Sequence, residues 1–250
     1  MIKRVTTKQP RKSWWFFAAI LLLFFILLQL PAAWILARVS PQNPYIDHVT
    51  GNIWHGQADW RVKDLEGVLR WRLRPWEFLL LRVGADVDVQ TGSTMLNGRV
   101  QIGRQQWQLL DVDGKVDSAT LATLLPWQWP ESPIQLRQLS VGKNKTGWTD
   151  VSGQLNWGGG ALGYPFEGRT ERAALPPMVG RLALDRDRLH LALTDANQGR
   201  MGDIYVSADQ MLDVQLTQRL LASVAGYRGQ AGLDTAVIST RQPLASLGGF

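Results

Sequence analysis

Between residues 67 and 76 the chain reads GVLRWRLRPW. Arg70, Arg72 and Arg74 alternate there with Leu69, Trp71 and Leu73, so an extended backbone would carry three guanidiniums on one face and three apolar groups on the other. Guanidinium forks suit phosphates and carboxylates. The strand could therefore meet nucleic acid, anionic lipid or a partner protein, or form the solvated face of an ordinary sheet. Three acid pairs, Asp86/Asp88, Asp111/Asp113 and Asp185/Asp187, sit two residues apart. On a strand that spacing serves calcium binding, acid–base chemistry or simply a wet face.

Other chemistry finds less support. The histidines are His48, His55 and His190, there is no cysteine, and no H-E-x-x-H spacing exists. Zinc therefore lacks its usual ligand set. No G-x-S-x-G elbow is present, and Gly142-Lys143 is followed by Asn144 where a Walker A loop needs Ser or Thr. Gly158 to Gly163 matches G-x-G-x-x-G, yet Tyr164-Pro165 follows where a phosphate-binding version opens a helix. A hairpin or bulge is expected there. Asn144-Lys-Thr146 is a glycosylation sequon, meaningful only in a eukaryotic secretory route. The sequence predicts no enzyme, no cofactor and no metal.

The net charge of +6 is a property of the N-terminus. Lys3, Arg4, Lys8, Arg11 and Lys12 stand there without an acid; the other 22 basic residues are balanced by 21 acidic ones. A nucleic-acid-binding body should carry its charge on the folded part, so nucleic acid is excluded as a partner. From Trp14 to Ala37 no residue is charged and Gln29 is the one amide. Trp14 and Trp34 would lie about 30 Å apart along a helix, close to the thickness of a bilayer's hydrocarbon core. The run is longer than a signal-peptide core and lacks a clean small-x-small exit. The expectation is an uncleaved signal anchor. The division predicted is a cytoplasmic basic tail at 1–13, a transmembrane helix at 14–37, a connector at 38–46 and a periplasmic domain at 47–250. The positive-inside rule sets that orientation. An inner-membrane protein facing the periplasm is the simplest host.

After the connector the texture is β. Leu81 to Val89 alternates, Leu182 and Leu184 answer Leu189, Leu191 and Leu193 across Asp185–Asp187, and further strands are expected near 204–206, 212–216 and 235–240. A turn is expected at Asp111-Val-Asp-Gly114. Short helices are expected at Pro75–Leu80, at Ser118–Leu125 on a Ser118 cap, and at Thr217–Ala225 before Gly226. The fold class is mainly β: a curved or meandering antiparallel sheet behind one membrane helix. Of nine tryptophans after residue 37, Trp127 and Trp129 in LPWQWPESP are hardest to place. They either pack a loop down or form an exposed contact patch.

Gly51-Asn-Ile-Trp54-His-Gly56, then Gly67-Val-Leu-Arg-Trp71-Arg72-Leu73-Arg-Pro75-Trp76, then Leu79-Leu-Leu81 form a longer pattern. It resembles the protein N family of the bacterial type II secretion system. The general plan is similar too: basic tail, one span, and a cysteine-poor exported domain. Leu81-Arg82 departs from the glycine expected after the leucines. The resemblance implies a non-enzymatic inner-membrane component that supports export of folded exoproteins. Its partners would be other secretion subunits and the bilayer, and Arg70, Arg72, Arg74, Trp127 and Trp129 are the candidate interaction surface. A distant likeness to AsmA-type β-groove proteins implies the alternative, a module sheltering lipid in its sheet.

Overall fold

The computed structural model describes residues 12–40, 43–62, 64–124, 127–166, 168–224 and 227–244. The basic tail up to residue 11 lies outside them. Helix α1 (Lys12–Gln29) and helix α2 (Ala32–Val39) come first. One helix over 14–37 is expected from hydropathy, but Leu30–Pro31 divides it. Proline lacks an N–H and pushes the residue before it out of the helical region; Pro31 is extended, at φ −65° and ψ 134°. Among the described residues no helix is long and apolar enough to cross a membrane. The 18 residues of α1 span about 27 Å at 1.5 Å each.

The rest is strand. In chain order they are β1 (Ile46–Gly51), β2 (His55–Val62), β3 (Leu65–Arg74), β4 (Val83–Thr91), β5 (Thr94–Ile102), β6 (Gln106–Val116), β7 (Ile134–Asn144), β8 (Trp148–Trp157), β9 (Gly160–Phe166), β10 (Arg169–Leu175), β11 (Met178–Asp185), β12 (Arg188–Asp195), β13 (Arg200–Val206), β14 (Met211–Thr217) and β15 (Ala236–Pro243). Thirteen of them form one sheet in sequence order, with β9 and β10 set aside as a separate hairpin, so that β8 pairs with β11. A 3₁₀ turn (Pro75–Leu80), α3 (Ser118–Leu124) and α4 (Gln218–Leu221) interrupt the strands. Gly158–Gly163 is not a hairpin turn: Gly158 and Gly159 link β8 to β9, which belong to different sheets, and Gly160–Gly163 lie in β9.

One face is apolar across most of the sheet. Trp71 stands opposite Val87, and Leu69 opposite Val89; Leu136 opposite Leu155; Leu182 opposite Leu191; Ile204 opposite Val214. Among the described residues no second layer covers that face, and the sheet bends onto itself. The bend follows a row of bulges: register slips occur between Asn97 and Arg99, around Val112 and between Arg137 and Ser140. Asp111, Gln138 and Asp150 take positive φ values of 52°, 47° and 52° along it. Asp111–Gly114 is thus part of β6 and not a turn; one extra residue in β6 and one in β7 are absorbed as bulges, which sharpen local twist. Ser140 Oγ accepts the Asp111 N–H at 3.0 Å, and Asp113 accepts the Gln138 N–H at 3.0 Å.

The curl brings distant strands together. Lys143 Nζ on β7 donates to the carbonyl of Ala208, in the β13–β14 turn, at 3.1 Å. In a flat sheet the two strand positions would be about 20 Å apart at the usual strand spacing. At the other end the β9–β10 hairpin forms a floor. Gly163 pairs with Gln128 ahead of β7, and Ala173 pairs with Val224 beyond β14. Leu162 and Ala173 are buried there. Even so, most of the apolar face is half-buried, and the core is short: Ala58, Val112, Leu182, Met201 and Leu212 are among its few buried members.

Two expected helices shift at their ends. Asp117, not Ser118, caps α3: its carboxylate accepts the Thr120 N–H at 2.9 Å and the Thr94 hydroxyl at 3.1 Å. α4 is a single turn capped by Thr217, and Ala225–Gly226 fall outside the described residues. Burial pulls the Asp117 carboxyl upward, but hydrogen bonds from Thr120, Thr94 and Ser93 outweigh it and hold the group below its ordinary 3.8. A depressed folded value means stability that is present above 3.8 and lost as pH falls through the folded pKa. Asp117→Ala is expected to cost about 1 kcal/mol at neutral pH. In urea unfolding that gap should close below pH 3.8. The bulge makes a second prediction. Gln138→Val should destabilise by about 1–2 kcal/mol, because a β-branched residue resists positive φ, while Gln138→Gly should not.

Candidate functional site

The residues of the 50–81 pattern converge at the helix-proximal end of the sheet. Gly51 turns the chain at φ +88°, and a side chain there would stand 2.6 Å from the His55 carbonyl oxygen. Asn52 Oδ1 accepts the N–H groups of Trp54 and His55 at 3.0 and 2.9 Å, closing the turn. Two glycine–tryptophan pairs follow in register: Gly56 with Trp71, and Gly67 with Trp60. Each indole covers the bare Cα of its partner. A Cβ on Gly56 would lie 2.6 Å from the Trp71 ring, and one on Gly67 2.8 Å from the Trp60 ring. Trp71 Nε1 then donates to the Ile53 carbonyl at 3.2 Å.

This corner is tied to the helices. The Ile53 N–H donates to the Leu30 carbonyl at 3.1 Å, and Pro31 bridges to Asn52. The break at Pro31 therefore frees a carbonyl that the turn uses. On the other side the Leu73 N–H reaches the Trp54 carbonyl at 2.6 Å, and Trp54 meets Phe78 edge to face at 6.0 Å. Pro75 opens the 3₁₀ turn. Glu77 folds back over Gly84 and accepts from Gln101 Nε2 at 2.9 Å. Leu81 closes the turn in the left-handed region, at φ 55°, and is therefore not part of β4, which begins at Val83.

The arginine strand meets acids of β4. Arg70 stands opposite Asp88 and Arg72 opposite Asp86, while Arg99 faces Asp86 from β5. Arg74 grips Asp86 through Nε, at 3.1 and 3.0 Å, and through Nη2 at 2.9 Å. Arg70 and Arg72 are exposed. Glu66, of the same parity as the arginines, is in turn paired across strands, 3.8 Å from Arg61 of β2. Trp127 and Trp129 stack at 5.7 Å, and Trp129 meets Trp157 edge to face at 6.4 Å. They sit beside the hairpin floor, far from the arginines.

One cluster has no sequence signal because its members come from separate strands. The buried Asp203 lies 2.6 Å from His190 Nε2 and accepts from Arg200 Nε at 2.6 Å. Tyr205 stacks on His190 at 4.4 Å, and Arg188 lies over Tyr205. Burial, then the charges of Asp203 and Asp185, raise the Tyr205 hydroxyl above its ordinary value. Both Asp203 oxygens are engaged, which makes the cluster a clamp across β12 and β13. Among the described residues no group of three or more His, Cys, Asp or Glu could hold a metal ion.

Residues 45–248 match the family described as Type II secretion system (T2SS), protein N. The chain belongs to that family and is a component of type II secretion, a protein-transport system. No curated protein and no solved structure matches it. The Gly–Trp pairing makes its own prediction. Gly67→Ala should destabilise by about 1–3 kcal/mol through overpacking, since the new Cβ would also meet the Gln90 carbonyl oxygen at 2.4 Å. Denaturant titration would measure it.

Proposed function

We infer that the chain is a non-enzymatic accessory subunit of type II secretion, held in the inner membrane by the apolar segment at 14–37. Its basic tail faces the cytoplasm and its sheet faces the periplasm. It acts through contacts with other secretion subunits and supports release of folded exoproteins. The family match over 45–248 carries this reading. The charge-free run from Trp14 to Ala37 beside five basic residues supports the anchor and its orientation. Arg70 and Arg72, exposed on the outer face, are suited to steering an acidic partner surface, since rim charges act mainly on association rate.

A second reading is favoured by one feature, the half-buried apolar face inside the curled sheet. Such a groove suits an acyl chain, so the module would handle lipid at the periplasmic side of the membrane. Deletion of the gene separates the two. Under the first reading exoproteins accumulate in the periplasm, and the full chain restores release where residues 38–250 carried by a cleavable signal do not. Unchanged release with altered envelope lipid would favour the groove and overturn the secretion role.

A further inference from the structure

The turn between β3 and β4 exposes more apolar surface than a soluble loop normally does. Trp76 is 78% exposed, Leu79 78%, Leu80 68% and Leu81 88%. They are neighbours on one 3₁₀ turn, and Glu77, folded inward onto Gly84 and Gln101, keeps the turn in this orientation. The adjacent strand ends expose apolar side chains too, on the face of the sheet opposite the one Glu77 covers. Val83 stands opposite Ile102, and Ile102 opposite Trp107; all three are exposed. Apolar side chains gathered around one rim of the sheet in this way mark a protein or membrane contact.

Its position favours the membrane. The path from the patch to the end of α1 is short: Phe78 to Trp54, Trp54 to Ile53, and Ile53 by hydrogen bond to Leu30. The patch and the apolar helix therefore share one end of the molecule, where exposed Trp34 stands in the first turn of α2, just past Pro31. Tryptophan at that level is what a bilayer interface collects. Arg82 and Arg104, both exposed, flank the patch and suit anionic headgroups.

We propose that the Trp76–Leu81 turn, with Val83, Ile102 and Trp107, inserts into the outer leaflet of the membrane that α1 enters, as a second, interfacial contact. This rests on the anchored reading given under Proposed function. A turn inserted beside the helix would fix the tilt of the sheet over the bilayer, where a lone helix with a connector would let it swing.

The chain contains no cysteine, so single probes can be placed cleanly. Leu80→Cys, Leu22→Cys on α1, and Ser93→Cys would each be labelled with an environment-sensitive fluorophore. Ser93 lies at the far end of β4, about 30 Å away. The full chain would be reconstituted in vesicles of phosphatidylethanolamine and phosphatidylglycerol, with doxyl-labelled phosphatidylcholine as quencher. The expected result is quenching at Leu80 and Leu22 but not at Ser93. Quenching at Leu80 should be stronger from a shallow doxyl than from a deep one, as for insertion of about 5–10 Å. Omitting phosphatidylglycerol, or Arg82→Glu, should weaken it at Leu80 and leave Leu22 unchanged. Quenching at Leu22 without Leu80 overturns the insertion while leaving the anchor, and assigns the patch to a protein partner. Quenching at all three sites overturns it as well, because the sheet would then lie flat. Quenching at none removes the anchor and the insertion with it.

Discussion

An antiparallel sheet with a single apolar face needs something to cover that face, and the described residues provide no second layer. The sheet has to cover itself. Strand twist alone bends a sheet gradually. Here the bulges at Asp111, Gln138 and Asp150 concentrate the bend in β6 to β8, and the Lys143–Ala208 bond records how far it goes. The remaining features follow from that curl. The β9–β10 hairpin has a floor to form only because β7 and β14 have been brought around to either side of it.

The two ends of the sheet are built by different means. At the hairpin end, backbone bridges and the stacked pair Trp127–Trp129 close the floor. At the helix end, tryptophan rings lie over glycines, and the Asn52 turn borrows a carbonyl that Pro31 leaves without a helical partner. The pattern at 50–81 is therefore a packing code for one corner. Its glycines answer to steric room, its tryptophans to that room and to the Ile53 carbonyl, and its proline to the start of the 3₁₀ turn. The arginines between them are not needed for the corner and face outward.

Much of this was legible in the sequence. Strict alternation located β4, β11, β12, β13 and β14, because a half-buried strand advertises its period. The family was legible from glycine and tryptophan at fixed spacing. What failed depended on partners far along the chain. Asp111-Val-Asp-Gly114 has turn composition, and only the pairing with β7 turns it into a bulged strand. Ser118 looks like a cap until Thr94, from β5, organises Asp117 in its place. Arg72 needed β4 in register before Asp86 could be identified opposite it. The Asp203 clamp had no local signature at all, since His190 and Arg200 reach it from a neighbouring strand and from its own strand start.

The order of the sheet has a kinetic consequence. Nearly every strand pairs with the strand made just before it, so contacts are local in sequence and loop-closure costs are small. A chain emerging from its N-terminus finds each new strand's template already in place. The exceptions are β9, which does not join β8, and β11, which must pass over β9 and β10 to reach it. Those two strands pair with each other, and in doing so they keep β8 free for its later partner. The hairpin is thus a parenthesis in an otherwise sequential zipper. The slow step of folding should lie there, at the rejoining of β8 and β11.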